Sequence, residues 1–144
     1  MELHKPFVCC LDFDGTIIHH PGNKSFDSYG AEPEIPVPYA LDWCRNFNSL
    51  GLRLILWTSR GTQSFLDKAI QYMEKAGIDL WDVNNNEEQK QWSDSRKIHA
   101  HVYVDDNGLS PLCYPIPGKR GVVDWTLCGP MVLDRYNNKD KYYS

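Results

Sequence analysis

The chain has 144 residues, 42% of them hydrophobic and 24% charged, with a formal net charge of −4. A chain of that length buries roughly 68–70% of its unfolded surface, and this composition excludes collagen-like, coiled-coil and disordered classes. The longest apolar runs, residues 7–11 and 54–57, fall far short of the ~20 residues needed to cross a bilayer.

The first element in chain order is a strand over residues 7–11, continuously apolar and ending at Asp12-Phe13-Asp14-Gly15, as expected of a strand buried on both faces. Residues 38–50 predict a helix: Leu41, Cys44, Phe47 and Leu50 recur every three residues, Pro38 suits a first turn and Gly51 a stop. Residues 52–57 predict a second buried strand, ending at Thr58-Ser59-Arg60-Gly61. A second helix follows from about Ser64, with Phe65, Leu66, Ala69, Ile70 and Met73 on one face, Asp67 completing a capping box and Gly77 as terminator. Residues 78–83 predict a short third strand, 87–92 a polar helix, and 100–104 a fourth strand that meets Asp105-Asp106. Beyond it, the Pro and Gly content predicts at most one more short strand near Val122-Val123, and the polar residues 135–144 predict a flexible tail.

Strands alternating with helices imply βαβ units and a largely parallel sheet. The expected fold is α/β, a three-layer Rossmann-like sandwich with about five strands in one domain over residues 1–144. In such sheets, ligands bind beyond the carboxyl ends of the strands. Asp12, Asp14, Thr58, Asp105 and Asp106 should therefore converge on one edge. Four carboxylates there would repel one another unless some stay protonated or a cation sits among them. Mg²⁺ fits, because it takes oxygen ligands from one or two carboxylates together with a substrate phosphate.

The region before Asp12 is too short for a signal-peptide core, so the expected address is cytoplasmic. The five cysteines, odd in number and without a C-x-x-C pair, read as reduced thiols, with Cys9 and Cys10 as buried side chains. His99 and His101 lie two apart, with no third ligand at zinc spacing. Lys119-Arg120 is a short basic patch.

Four segments resemble the motifs of the haloacid dehalogenase-like (HAD) phosphohydrolases, in that family's order over residues 7–106. Asp12-Phe13-Asp14-Gly15-Thr16 is similar to the first motif, Leu56-Trp57-Thr58-Ser59 to the second, Lys97 to the third and Val104-Asp105-Asp106 to the fourth. The resemblance implies Asp12 as nucleophile and Asp14 as the acid/base that protonates the leaving oxygen and later activates water. It implies Mg²⁺ held by Asp12, Asp105 and the Asp14 backbone carbonyl, with Asp106 in support. Thr58 would donate to the transferring phosphoryl group, and Lys97 would neutralise its charge and orient Asp12. In the loop after the second strand, Ser59 and Arg60 are expected substrate contacts, Arg60 as a second phosphate ligand.

Neither residues 15–37 nor residues 59–96 leave room for a cap domain, since independent domains rarely fall below about 50 residues. Residues 15–37 could instead form a small flap, with His19, His20 and Tyr29 as contacts. An open site suits a bulky phosphorylated substrate such as a polynucleotide end, or one completed by an oligomeric partner, although the acidic balance is against nucleic acid. The expected activity is Mg²⁺-dependent phosphomonoester hydrolysis through an aspartyl-phosphate. The alternatives are a phosphotransferase and a non-catalytic metal- or phosphate-binding module.

Overall fold

The structure, a computed structural model, describes residues 6–20 and 34–144. Strand β1 (Val8–Leu11) is wholly buried, as its unbroken apolar run requires. Helix α1 (Ala40–Leu50) buries Ala40, Cys44 and Phe47 and ends at Gly51, whose φ of +88° suits a residue without a Cβ. It starts two residues later than the pattern predicts, after Tyr39 at a φ of +67°. β2 (Arg53–Leu56) leads to α2 (Gln63–Lys75), which is preceded by Thr62 without a side-chain cap. The expected capping box does not form, and Asp67 instead accepts from the Gln63 amide at 2.7 Å.

β3 is only Asp82–Val83. Residues before it are tied elsewhere: the Asn48 side chain takes both the N–H and the C=O of Asp79, at 2.8 and 3.0 Å. β4 (Val102–Val104) is similarly shorter than expected, because the Ala100 N–H bonds the Tyr103 hydroxyl at 3.1 Å instead of a neighbouring strand.

These four strands form one parallel sheet in the order β3-β2-β1-β4. The sheet has four strands, not five, because the segment near Val122-Val123 pairs elsewhere: β5 (Leu112–Cys113) and β6 (Val122–Val123) make a separate antiparallel pair. Side chains alternate across the sheet. Cys9, Leu11, Leu54 and Leu56 join the core containing Phe47 of α1 and Met73 of α2, while Val8, Cys10 and Ile55 face Ile98 and Ala100.

The topology explains this asymmetry. From β1 to β2 to β3 the chain steps in one direction, so right-handed crossovers put α1 and α2 on the same face. The return from β3 to β4 passes across the opposite face. That crossing is not the expected polar helix but a single 3₁₀ turn (Glu87–Gln91) within irregular chain. The Gln89 side chain holds it, donating to the Lys97 carbonyl at 2.8 Å and accepting from the His99 N–H at 2.7 Å. The third layer of the expected sandwich is thus a thin irregular cover.

After β6 comes α3 (Trp125–Asn137), where no helix was expected. Asp124 caps it, accepting from the Thr126 N–H at 3.0 Å. Gly129 and Pro130, read as breakers, lie inside it. Gly129 permits close approach to α1, since a Cβ there would come within 2.1 Å of Trp43. Helix α4 (Lys139–Tyr143) follows. Residues 135–144, expected as a flexible tail from their polarity, are largely helical and anchored: Tyr136 donates to the Leu50 carbonyl at 2.9 Å and Tyr143 to that of His101 at 2.8 Å. No helix among the described residues is long and apolar enough to cross a membrane.

Candidate metal centre and phosphoryl site

The chain leaves β1 toward β2 on one side and returns to β4 on the other, so the switch point of the sheet lies between the carboxyl ends of β1 and β4. Asp12 follows β1, and its N–H bonds the Val104 carbonyl at 3.0 Å. Asp105 and Asp106 follow β4. Carboxylate oxygens of the three residues all lie within 4.8 Å of one another. Thr16 stitches them together: its hydroxyl donates to Asp12 Oδ2 and accepts from the Asp106 N–H, both at 3.2 Å.

The turn carrying Thr16 depends on Gly15, whose φ is +86° and whose absent Cβ would lie 2.2 Å from His20 Nε2 and 2.3 Å from Asp106 Oδ2. Only glycine lets His20 pass over the turn to reach Asp106, at 2.8 Å. The Gly15 carbonyl accepts from the Val123 N–H at 3.0 Å, and the Thr16 carbonyl from Trp125 Nε1 at 2.7 Å. β6 and the first turn of α3 therefore brace the turn that presents Asp12.

The electrostatics are those of a crowded acidic cluster. Burial first, then the charge of Asp105 and the hydrogen bond and charge of Asp106, push the Asp12 carboxyl up to about 8. Asp105 is also raised, chiefly by burial. Burial works to raise Asp106 too, but hydrogen bonds with His20 and Asp12 and the charges of His20 and Arg120 outweigh it and hold it low. Asp106 is 7% exposed, and its Oδ1 has no hydrogen-bond partner among the described residues. A buried carboxylate oxygen without a donor, beside two further carboxylates, fits a hard divalent cation with oxygen ligands.

Asp14 is not in this cluster. Both its oxygens are taken by Arg60, Nε to Oδ2 at 2.9 Å and Nη2 to Oδ1 at 2.8 Å. Arg60, expected at the substrate, is instead turned inward at 4% exposure. It lies over the Phe13 and Phe65 rings, and Nη1 donates to the Phe65 carbonyl at 3.1 Å. Its fork matches a carboxylate better than any single donor could, and its weakly hydrated plane tolerates the aromatic sandwich.

Thr58 is half-buried at the end of β2. Its N–H donates to Asn84 Oδ1 at 2.8 Å, and its hydroxyl oxygen accepts from the Arg60 N–H at 3.2 Å, so the O–H proton can be directed outward. Asn84, at a φ of +49°, is a positioning residue that the Asn-Asn-Asn run suggested only as a turn. Ser59 is exposed. Lys97 is exposed, its ammonium 5.9 Å from the Tyr103 ring centre; none of its recorded contacts is to Asp12, Asp105 or Asp106. Arg120, at the end of the β5–β6 loop, does reach the cluster: Nη2 lies 3.3 Å from Asp106 Oδ2 and donates to Asn107 Oδ1 at 2.7 Å.

A solved structure described as a conserved protein coded by a locus from Bacteroides thetaiotaomicron is similar to this chain, with a TM-score of 0.67 and 24% identity over 97% of this chain and 99% of that one. The likeness speaks for the fold alone. No family model and no curated protein matches the chain.

Within the interval expected as a flap, residues 21–33, and Tyr29 with them, lie outside the described residues. Its two ends are joined: the His19 N–H bonds the Ile35 carbonyl and the Val37 N–H the Ile17 carbonyl, each at 2.8 Å. His20 meets Asp106, whereas His19 is buried, and burial followed by the nearby His20 charge lowers its pKa.

Proposed function

We propose that the chain is a Mg²⁺-dependent phosphomonoester hydrolase of the haloacid dehalogenase-like kind. The observation that carries this reading is the carboxylate cluster at the switch point, with the unpartnered Asp106 Oδ1 inside it. Asp12, Asp105 and Asp106 would hold the magnesium, which supplies positive charge that lets an ionised Asp12 approach a phosphoryl group.

One Asp12 oxygen attacks phosphorus and the bond to the leaving oxygen breaks, giving an aspartyl-phosphate. To protonate that leaving oxygen, Asp14 must first free one oxygen from the Arg60 fork and take up a proton from solvent, while Thr58 donates its hydroxyl to a phosphoryl oxygen. In the second half, water attacks phosphorus, Asp14 takes the water proton, and the Asp12 carboxylate leaves. The Arg60 fork orients Asp14 for this second role. It also favours the second reading, a non-catalytic metal- and phosphate-binding module, because the fork occupies both Asp14 oxygens.

A phosphomonoester panel with and without Mg²⁺, extended to oligonucleotide 3′-phosphates, tests the reading. Hydrolysis should require Mg²⁺ and disappear in Asp12→Asn. Equal hydrolysis by wild type and Asp12→Asn would refute it, and Mg²⁺ binding without turnover would favour the module.

A further inference from the structure

We propose that Arg120, not Lys97, is the cation that binds the phosphoryl group at this site, carried there by the β5–β6 hairpin. The inference rests on the phosphohydrolase reading and names the residue that neutralises its substrate.

Three observations converge. The hairpin is part of the site's wall, since Val123 bonds the Gly15 carbonyl, Asp124 the Pro111 carbonyl at 2.8 Å and Trp125 the Thr16 carbonyl. The loop between its strands folds back on itself, with the Tyr114 ring against Gly121, where a Cβ would come within 2.9 Å of the ring. Arg120 therefore extends from a braced loop toward Asp106.

Its contacts leave capacity. Nη2 serves both Asp106 and Asn107, while Nε and Nη1 have no recorded acceptor among the described residues, and the side chain is 55% exposed. A guanidinium holds five N–H donors in a planar fork suited to phosphate oxygens, so one edge can stay on Asp106 while the other meets a phosphoryl group.

The other cations are placed differently. Arg60 directs Nε and both terminal nitrogens to Asp14 and Phe65. The Lys97 ammonium lies over Tyr103.

The test compares wild type with Arg120→Ala, Arg120→Lys, Lys97→Ala and Lys119→Ala, the last removing an equal charge from the adjacent loop position. Orthovanadate binding in Mg²⁺ is read by calorimetry, and kcat and KM on the best substrate of the panel. Arg120→Ala should weaken vanadate binding and lower kcat/KM by about tenfold to a hundredfold, and Arg120→Lys should recover part of it. Lys119→Ala should stay within about twofold, as expected of a screened surface charge. A loss in Lys97→Ala larger than in Arg120→Ala, an equal loss in Lys119→Ala, or an unaffected Arg120→Ala in an active protein would overturn the inference and leave the hydrolase reading standing. A wild type that neither hydrolyses any ester nor binds vanadate would overturn both.

Discussion

Metal-free protein should lose stability as pH rises through neutrality, and Asp12 sets the size of the loss. Its folded value of about 8 lies above the ordinary 3.8. The folded state therefore keeps a proton that the unfolded chain has already released. Stability from such a group is fully present below the unfolded pKa and is lost as pH rises toward the folded one. Between about pH 6.5 and pH 8 the loss comes to about 1.5 kcal/mol, at about 1.4 kcal/mol per pH unit with titration half complete at the top. For a chain of this size that lowers Tm by about 5 °C. Asp105, also raised chiefly by burial, acts with the same sign, so the comparison with Asp12→Asn isolates Asp12; His19 and His101 are lowered, chiefly by burial, and act with opposite sign below the usual imidazole range. Buried Cys10 and Cys44, pushed up to about 12, act above it. Thermal melts in chelator across the window, for wild type and Asp12→Asn, read the effect directly. Saturating Mg²⁺ should restore about 3 kcal/mol at a hundredfold excess over its Kd. A flat or rising Tm in chelator, or the same slope in Asp12→Asn, would refute the reasoning.

Three further outcomes follow from packing and pairing. Gly15→Ala should destabilise by about 2–3 kcal/mol and weaken Mg²⁺ binding, because it combines left-handed strain with a clash against His20 and Asp106; denaturant melts and a Mg²⁺ titration check it. Arg60→Leu leaves the Asp14 carboxylate without its buried fork and should cost about 3 kcal/mol, with Arg60→Lys recovering less than half; a variant as stable as wild type would show the pair to be dispensable. Gly129→Ala should cost about 1–3 kcal/mol by forcing α3 away from Trp43, and clearly less in a Trp43→Ala background, which a double-mutant cycle measures.

The centre of the parallel sheet was legible because its two inner strands are apolar over most of their length: Val8–Leu11 and Arg53–Leu56 emerge where residues 7–11 and 52–57 predicted strands. A strand buried on both faces needs no alternation, and few other elements of that length look the same. α3 was illegible for a converse reason. Gly129 and Pro130 are local signals for a turn, and tertiary packing overrode them. Pro130 removes one helical hydrogen bond, while Trp125, Cys128, Gly129 and Val132 bury one face against the core. The crossing from β3 to β4 was misread in the other direction. Its polarity suited a surface helix, but Asn86 and Gln89 turn their amides inward and satisfy the backbone of residues 97–99, which a single 3₁₀ turn suffices to position.

The same distinction runs through the site. The convergence of Asp12, Asp105 and Asp106 was legible because a parallel sheet brings its carboxyl ends together whatever the loops do. The contacts made to this cluster and to its neighbours Thr58 and Asp14 were not, because they arrive by side-chain reach: His20 across a glycine, Arg120 from a hairpin, Asn84 from a left-handed turn, Arg60 by folding back on Asp14. Reach leaves no periodic trace in a sequence. A strand-end pattern can thus locate an acidic cluster, yet the side chains that set the charge of that cluster lie at positions without a pattern. His20 and Arg120 both reach Asp106 and hold its carboxyl low, while burial and the neighbouring acids push Asp12 up to about 8. A divalent cation held by this cluster would favour the ionised form of Asp12, so metal affinity should rise with pH through neutrality.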